Sequence, residues 1–171
     1  MIIFETDRLL VRPYRLTEKD QENFFRLNSD PEIMQYIRPV QSREDCNNFL
    51  QQIIDDYLAN PLTGRWAVEE KDTLRFVGSF AFIPIKGTTK MQLGYALMKS
   101  EWGKGYATEL TLRGVEYVFI KAGLSVIYAI TEVPNLASQK VLLKSGFRVH
   151  EQRIEEGKGI LEFILNKNLP D

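Results

Sequence analysis

A chain of 171 residues, 44% hydrophobic and 26% charged, is long enough for one well-buried core and short for two, so a single domain spanning 1–171 is expected. Lys and Arg number 22 against 23 Asp and Glu, a formal net charge of -1, and no block of about five like charges occurs, so neither nucleic acid nor an acidic membrane is an expected partner. Cys46 is the lone cysteine, which excludes an intrachain disulfide scaffold and fits a cytoplasmic setting.

The opening MIIFETDRLLVRP carries acids and no apolar run of signal length, and no window reaches the roughly 18 apolar residues of a membrane span. A soluble, unprocessed chain is expected. Residues 8–13 alternate Leu9 and Val11 with Arg8, Leu10 and Arg12, which predicts a half-buried strand closed by Pro13. Thr17 is a candidate N-cap for a helix over 18–28, with Asp20 in its first turn and Phe24, Phe25 and Leu27 on its apolar side. Ser42 caps a second, over 43–59, in which Cys46, Phe49, Leu50, Ile53, Tyr57 and Leu58 keep helical spacing until Asn60-Pro61 stops it.

The period then changes. Residues 65–70, 74–84 and 91–98 are short, aromatic and β-branched, and the turns KDT and KGTTK between them predict an antiparallel meander. After WGKGYATEL, Ala107, Leu110, Gly114, Val115, Val118, Phe119 and Ala122 mark one helical face ending at Gly123. The apolar run at 125–131 reads as a buried strand parallel to a neighbour, giving a βαβ unit. Asn135 can cap a helix over 136–144 that closes with Gly146 and Phe147, and strands near 147–154 and 160–166 form a hairpin across EEGKG. The element order is β-α-α-β-β-β-α-β-α-β-β, an α/β (α+β) pattern.

Gly103 and Gly105 directly precede a long helix, a pattern that serves either as a plain tight turn or as a phosphate cradle. A helix N-terminus presents unsatisfied N–H groups and the positive end of its dipole, so the N–H groups of residues 103 to 108 can converge on a pyrophosphate, with Lys104 and Thr108 adding a charge and a hydroxyl. A dinucleotide fingerprint is excluded because position 108 is Thr where a third glycine is needed, and no G-x-x-x-x-G-K-[ST] run exists.

WGKGYATE, preceded by QLGYALMKSE and followed by TEVPNLASQKVLLKSGF, resembles the GNAT superfamily of acyl-CoA-dependent N-acetyltransferases, and TDRLLVRPY resembles its ribosomal-protein N-terminal acetyltransferase (RimJ/RimL-type) branch. The resemblance implies a mixed, mostly antiparallel, V-splayed sheet flanked by helices. It implies acetyl-CoA as cosubstrate, held by a pyrophosphate loop over Trp102, Gly103, Lys104, Gly105, Tyr106, Ala107 and Thr108. The family's splayed strand falls on 91–98, so backbone groups near Leu97 and Met98 are expected to pair with the pantetheine arm. A backbone N–H near Met98 is the expected oxyanion stabiliser. Asn135 and Ser138 match the N-x-x-S of the second cofactor motif.

Where many relatives carry a Glu on the splayed strand, this chain has Gln92, which cannot take a proton. Glu132, just beyond the strand at 125–131, reads either as a base acting through water or as a solvated strand-end acid. Glu109 reads as an acid favoured by the helix dipole. Ser138 is the candidate acid for the departing thiolate, with Tyr95 and Tyr128 as alternatives and helix capping as its structural reading. His150 reads as a rim residue and Cys46 as core. Trp66, Phe76, Phe80 and Phe82 read as core, some of them within reach of an acceptor groove. The helices over 18–28 and 43–59 are implied to cover the acceptor side, with Tyr36 and Arg38 shaping specificity. One His and one Cys are too few for a soft metal site, so no metal is expected. The expected function is acetyl transfer to a primary amine, a peptide or protein N-terminus first and a small molecule next, by a monomer or homodimer. A non-catalytic acyl-CoA-binding protein of the same fold is the second reading, kept open by Gln92.

Overall fold

The structure, a computed structural model, describes residues 1–167. Helix α1 (Glu18–Ser29) begins at Thr17, whose hydroxyl accepts from the Asp20 N–H at 3.2 Å. α2 (Pro31–Met34) is capped by Asp30, α3 (Arg43–Ala59) by Ser42, and α5 (Leu136–Lys144) by Asn135, which accepts from the Ser138 N–H at 3.2 Å. These side chains satisfy donors that the first helical turn leaves free. Helix α4 (Tyr106–Ile120) is the exception. It starts from Gly105 at a φ of 82°, with no side-chain cap.

The strands are β1 (Phe4–Glu5), β2 (Leu9–Pro13), β3 (Gly64–Glu70), β4 (Phe76–Pro84), β5 (Met91–Leu97), β6 (Val126–Glu132), β7 (Arg148–Glu155) and β8 (Lys158–Asn166). They form one sheet in the order β1-β2-β3-β4-β5-β6-β8-β7. Every neighbouring pair is antiparallel except β5 and β6, which pair in parallel at Gln92↔Tyr128 alone. Beyond that pair the two strands separate, so the expected mixed, splayed sheet is present. The last hairpin is tighter than EEGKG suggests: Glu156 and Gly157 both take positive φ, the conformation that a two-residue turn with right-handed strand twist requires. Three elements were not foreseen, namely β1, α2 and a single 3-10 turn at Lys99–Glu101. Each is too short to carry a period.

Two cores sit on opposite faces of the sheet. One packs α4 against Trp66, Phe80, Phe82, Leu93, Leu97, Ile127 and Phe163; the other packs α1, α2 and α3 through Phe24, Leu27, Met34, Cys46, Leu50 and Ile53 against Ala67, Phe76 and Ala96. Helix α4 approaches the sheet through Gly114, where a Cβ would lie 2.3 Å from the Phe80 ring. On the α1 side, the buried Arg12 guanidinium bridges Asp20 and Glu69, each at 2.7 Å, and so ties β2, α1 and β3 together.

Candidate active site

The site follows from the parting of β5 and β6. In an antiparallel ladder alternate residues turn their backbone groups toward the partner strand. The Met98 N–H donates to Val77 O at 2.9 Å, so by that alternation Met98, Ala96, Gly94 and Gln92 face β4, while Leu93, Tyr95 and Leu97 face the gap. This corrects the expectation for Met98: its N–H is committed to the sheet and cannot stabilise an oxyanion. Leu97 has its N–H directed at the gap, but its carbonyl already accepts from the Trp102 indole Nε1 at 3.0 Å. A sheet that leaves such groups unpaired invites a ligand that pairs them.

The α4 end of the gap is built from backbone. Gly103 and Gly105 both adopt left-handed conformations, with φ of 75° and 82°. A Cβ at Gly103 would meet nothing within 4 Å, so the glycines are required by conformation and not by crowding within the chain. The turn leaves the N–H groups of Tyr106, Ala107 and Thr108 without intrahelical partners, because the first helical bond runs from Glu109 N–H to Gly105 O. The side chains expected to help are mostly engaged elsewhere. Lys104 Nζ donates to Glu101 at 3.0 Å, and that buried carboxylate also receives Arg75. The Tyr106 hydroxyl donates to Glu70 at 2.8 Å under the Arg8 guanidinium, so Tyr106 offers its N–H alone. Glu109 accepts from Thr6 and from the Arg8 backbone and side chain, which fastens the β1–β2 segment to α4 and supports its structural reading.

On the other side of the gap lies a cleft of about 310 Å³. Its walls include Gln92, Gly94, Tyr95 and Ala96 of β5, Ala129 to Thr131 of β6, Asn135 and Ser138 of α5, and Tyr36, Arg38 and Arg65 from the α2–α3 side. Side chains alternate along β5. Gln92, Gly94 and Ala96 therefore face the α1–α3 side, and Leu93, Tyr95 and Leu97 the α4 side. Gly94 leaves open space where a Cβ would stand.

Two of the proton-transfer candidates meet. The Tyr95 and Ser138 hydroxyls are 3.3 Å apart, and burial raises the Tyr95 phenol above its ordinary value, although the Ser138 hydrogen bond pulls the other way. Such a phenol keeps its proton at neutral pH and can donate it. Tyr128 is elsewhere, beside His150 and under Lys90. Glu132, the last residue of β6, does not line the cleft; its carboxylate accepts from Lys158 Nζ at 2.6 Å in an adjoining groove. Asn135 holds the first turn of α5 through its carbonyl oxygen. His150 is exposed, Cys46 is fully buried, and Trp66, Phe76, Phe80 and Phe82 are core side chains outside the cleft. Arg65 was not foreseen. Its signal in the sequence is a lone cation in RWAVEE, at the position preceding the inward Trp66.

A mixed sheet opened at its one parallel pair, with an uncapped helix N-terminus on one side of the opening and a polar cleft on the other, can admit an extended phosphate-bearing ligand. Residues 8–148 match the family model described as an acetyltransferase (GNAT) domain. The chain belongs to this GNAT acetyltransferase family. It is 32% identical over 149 residues to YoaA of Bacillus subtilis (strain 168), described as an uncharacterized N-acetyltransferase, a match covering 85% of this chain and 82% of YoaA. Among solved structures, a GNAT acetyltransferase from Bacillus anthracis superposes with a TM-score of 0.83 at 24% identity, over 97% of this chain and 98% of that one. Spermidine N-acetyltransferase from Vibrio cholerae, solved with CoA and spermine, gives 0.77 at 21% identity over 93% and 95%. The ribosomal-protein alpha-N-acetyltransferase RimL, solved with coenzyme A, gives 0.80 at 15% over 98% of each chain.

Proposed function

We propose that the protein transfers the acetyl group of acetyl-CoA to a neutral primary amine, either the α-amine of a peptide or protein or the amine of a small molecule. The observation that carries this reading is the meeting, at one opening in the sheet, of free helix N–H groups and a cleft whose walls hold Gln92, Tyr95 and Ser138. Solved proteins of this fold include one named for a protein α-amine and one named for a polyamine.

Acetyl-CoA supplies the activated acyl group. The residues of this chain have four tasks. The α4 N–H groups and the two glycines receive the pyrophosphate, which needs backbone approach and no side chain. The Leu97 N–H, directed at the gap, takes the oxyanion role that Met98 cannot fill. Gln92 orients the amine. Tyr95, relayed through Ser138, gives a proton to the departing thiolate, and the proton that the nitrogen loses as the amide forms passes to solvent, from which the phenol is restored.

No carboxylate among the described residues lines the cleft. The amine therefore arrives neutral, which favours an α-amine of pKa near 8 over a lysine side chain near 10.4. Two nearby guanidinium groups lower a bound ammonium further. The test is thiol release from acetyl-CoA with a panel of peptides and small amines across pH. The rate should rise along the acceptor's own ionisation, and Glu132→Gln should leave that profile unchanged. Preference for lysine side chains, or an acidic limiting pKa that vanishes in Glu132→Gln, would overturn this account and make Glu132 the base.

A further inference from the structure

Arg38 and Arg65 are the charged side chains lining the cleft among the described residues, and both are cations. Their guanidinium carbons lie 5.0 and 5.6 Å from the centroid of the same Phe49 ring, and the Arg38 charge acts on Arg65. Arg38 Nε is buried and has no hydrogen-bond partner among those residues. Burial, helped by the neighbouring Arg38 charge, pulls Arg65 down to about 10, and burial lowers Arg38 as well; no carboxylate acts on either. At neutral pH both remain charged.

The rest of the molecule treats buried cations differently. Arg12, buried where Arg38 and Arg65 are half-buried at the cleft wall, is matched by two carboxylates. A pair of like charges partly withdrawn from water without counter-charge carries a desolvation cost, and the Phe49 ring offsets only part of it. Acidic residues do approach from the adjoining groove, which holds Glu132, Glu155 and Glu156. Two of them are already paired, Glu132 with Lys158 and Glu155 with Arg153, both at 2.6 Å. Among the described residues of the cleft lining, Arg38 and Arg65 are the charged side chains, and neither makes an ion pair there.

We infer that Arg38 and Arg65 form an oxyanion subsite of the acceptor pocket, so that the acceptor is an amine carrying its own carboxylate or phosphate, its anion against the two guanidinium groups and its amine toward Gln92. A guanidinium presents a planar fork of donors that fits either oxyanion, and two of them select against polyamines and neutral amines by charge. The word acceptor rests on the acetyl-transfer reading; the anion subsite rests on the cleft alone.

The test uses the full chain saturated with CoA and matched pairs of primary amines: β-alanine against β-alaninamide, O-phosphoethanolamine against ethanolamine, and spermidine as a polycation. In calorimetric titration the anionic member of at least one pair should bind about tenfold or more tightly than its partner, and whichever pair gains more identifies carboxylate or phosphate as the source. Arg38→Gln with Arg65→Gln should collapse that preference to about twofold or less, with CoA affinity unchanged and Arg→Lys at both sites intermediate. Equal affinities within both pairs of the unmutated protein, absence of binding by all members, tighter binding of spermidine, or a preference that survives the double substitution would each overturn the subsite. Thiol release with the same amines separates the two claims. Acetylation without discrimination removes the subsite and leaves the transfer reading, whereas selective binding of anionic amines without acetylation does the reverse.

Discussion

The two sides of the splayed sheet are made from different parts. On the α4 side the site consists of backbone: two glycines at positive φ, three free N–H groups and the gap-facing edge of β5, while the nearby side chains of Lys104, Tyr106 and Glu109 are tied to other residues. On the α1–α3 side it consists of side chains, with Arg38, Arg65 and Gln92 arranged around the space that Gly94 leaves open. A backbone-built half recognises what all its ligands share. A side-chain-built half can be changed one residue at a time, which suits the part that selects the acceptor.

That contrast extends to stability. The α1–α3 side is anchored by the buried Arg12–Asp20–Glu69 network, the α4 side by half-exposed Arg8 on Glu109. Arg12→Ala strands two buried carboxylates and should cost about 3–5 kcal/mol, seen as a lower urea midpoint, while Arg8→Ala should cost roughly 1 kcal/mol or less. Equal losses would erase the distinction. Next in size, Tyr95→Phe should lower kcat about a hundredfold with CoA affinity within about twofold, because only the transition state loses a proton donor. Ser138→Ala should show the same split to a smaller degree, and equal losses in rate and affinity would make Ser138 a cofactor contact.

Gly105→Val forces a β-branched residue to a φ of 82° and should weaken CoA binding about tenfold or more by calorimetry. Gly94→Val is the matching change on the other side. A Cβ there meets nothing within 4 Å, so the fold and CoA affinity should hold while the acceptor KM rises several-fold, roughly in line with the space filled. A Gly94 variant that loses CoA instead would show that the halves are not separable.

The smallest effect is in acid. For Glu69, Glu101 and Glu109, burial raises the carboxyl, but hydrogen bonds and the charges of Arg12, Arg75 and Arg8 outweigh it and leave each below its ordinary value. Groups depressed by folding stabilise the native state above the unfolded value of about 4.3 and lose that contribution as pH falls through the folded values. Thermal unfolding should therefore be nearly flat from pH 7 to about 5 and drop below about 4. A decline beginning near pH 6 would point to other groups.

The sequence by itself determined the long elements, the helix caps and the glycine turn ahead of α4. Thr17, Ser42 and Asn135 cap their helices as read, because capping is decided within one turn, and Gly103 and Gly105 could be read because positive φ is a property of a single residue. The two-residue β1 escaped notice since its existence depends on pairing with β2. Tertiary structure alone decided the rest. Which backbone groups of β5 face the gap depended on the register against β4, and a shift of one residue would have turned the Met98 N–H to the gap in place of that of Leu97. The pairing of Tyr95 with Ser138, the diversion of Glu132 to Lys158, and the approach of Arg38 to Arg65, 27 positions apart in the chain, arise from strands and helices distant in sequence. Charge and proton chemistry depend on distances across the fold, and no local pattern encodes those distances.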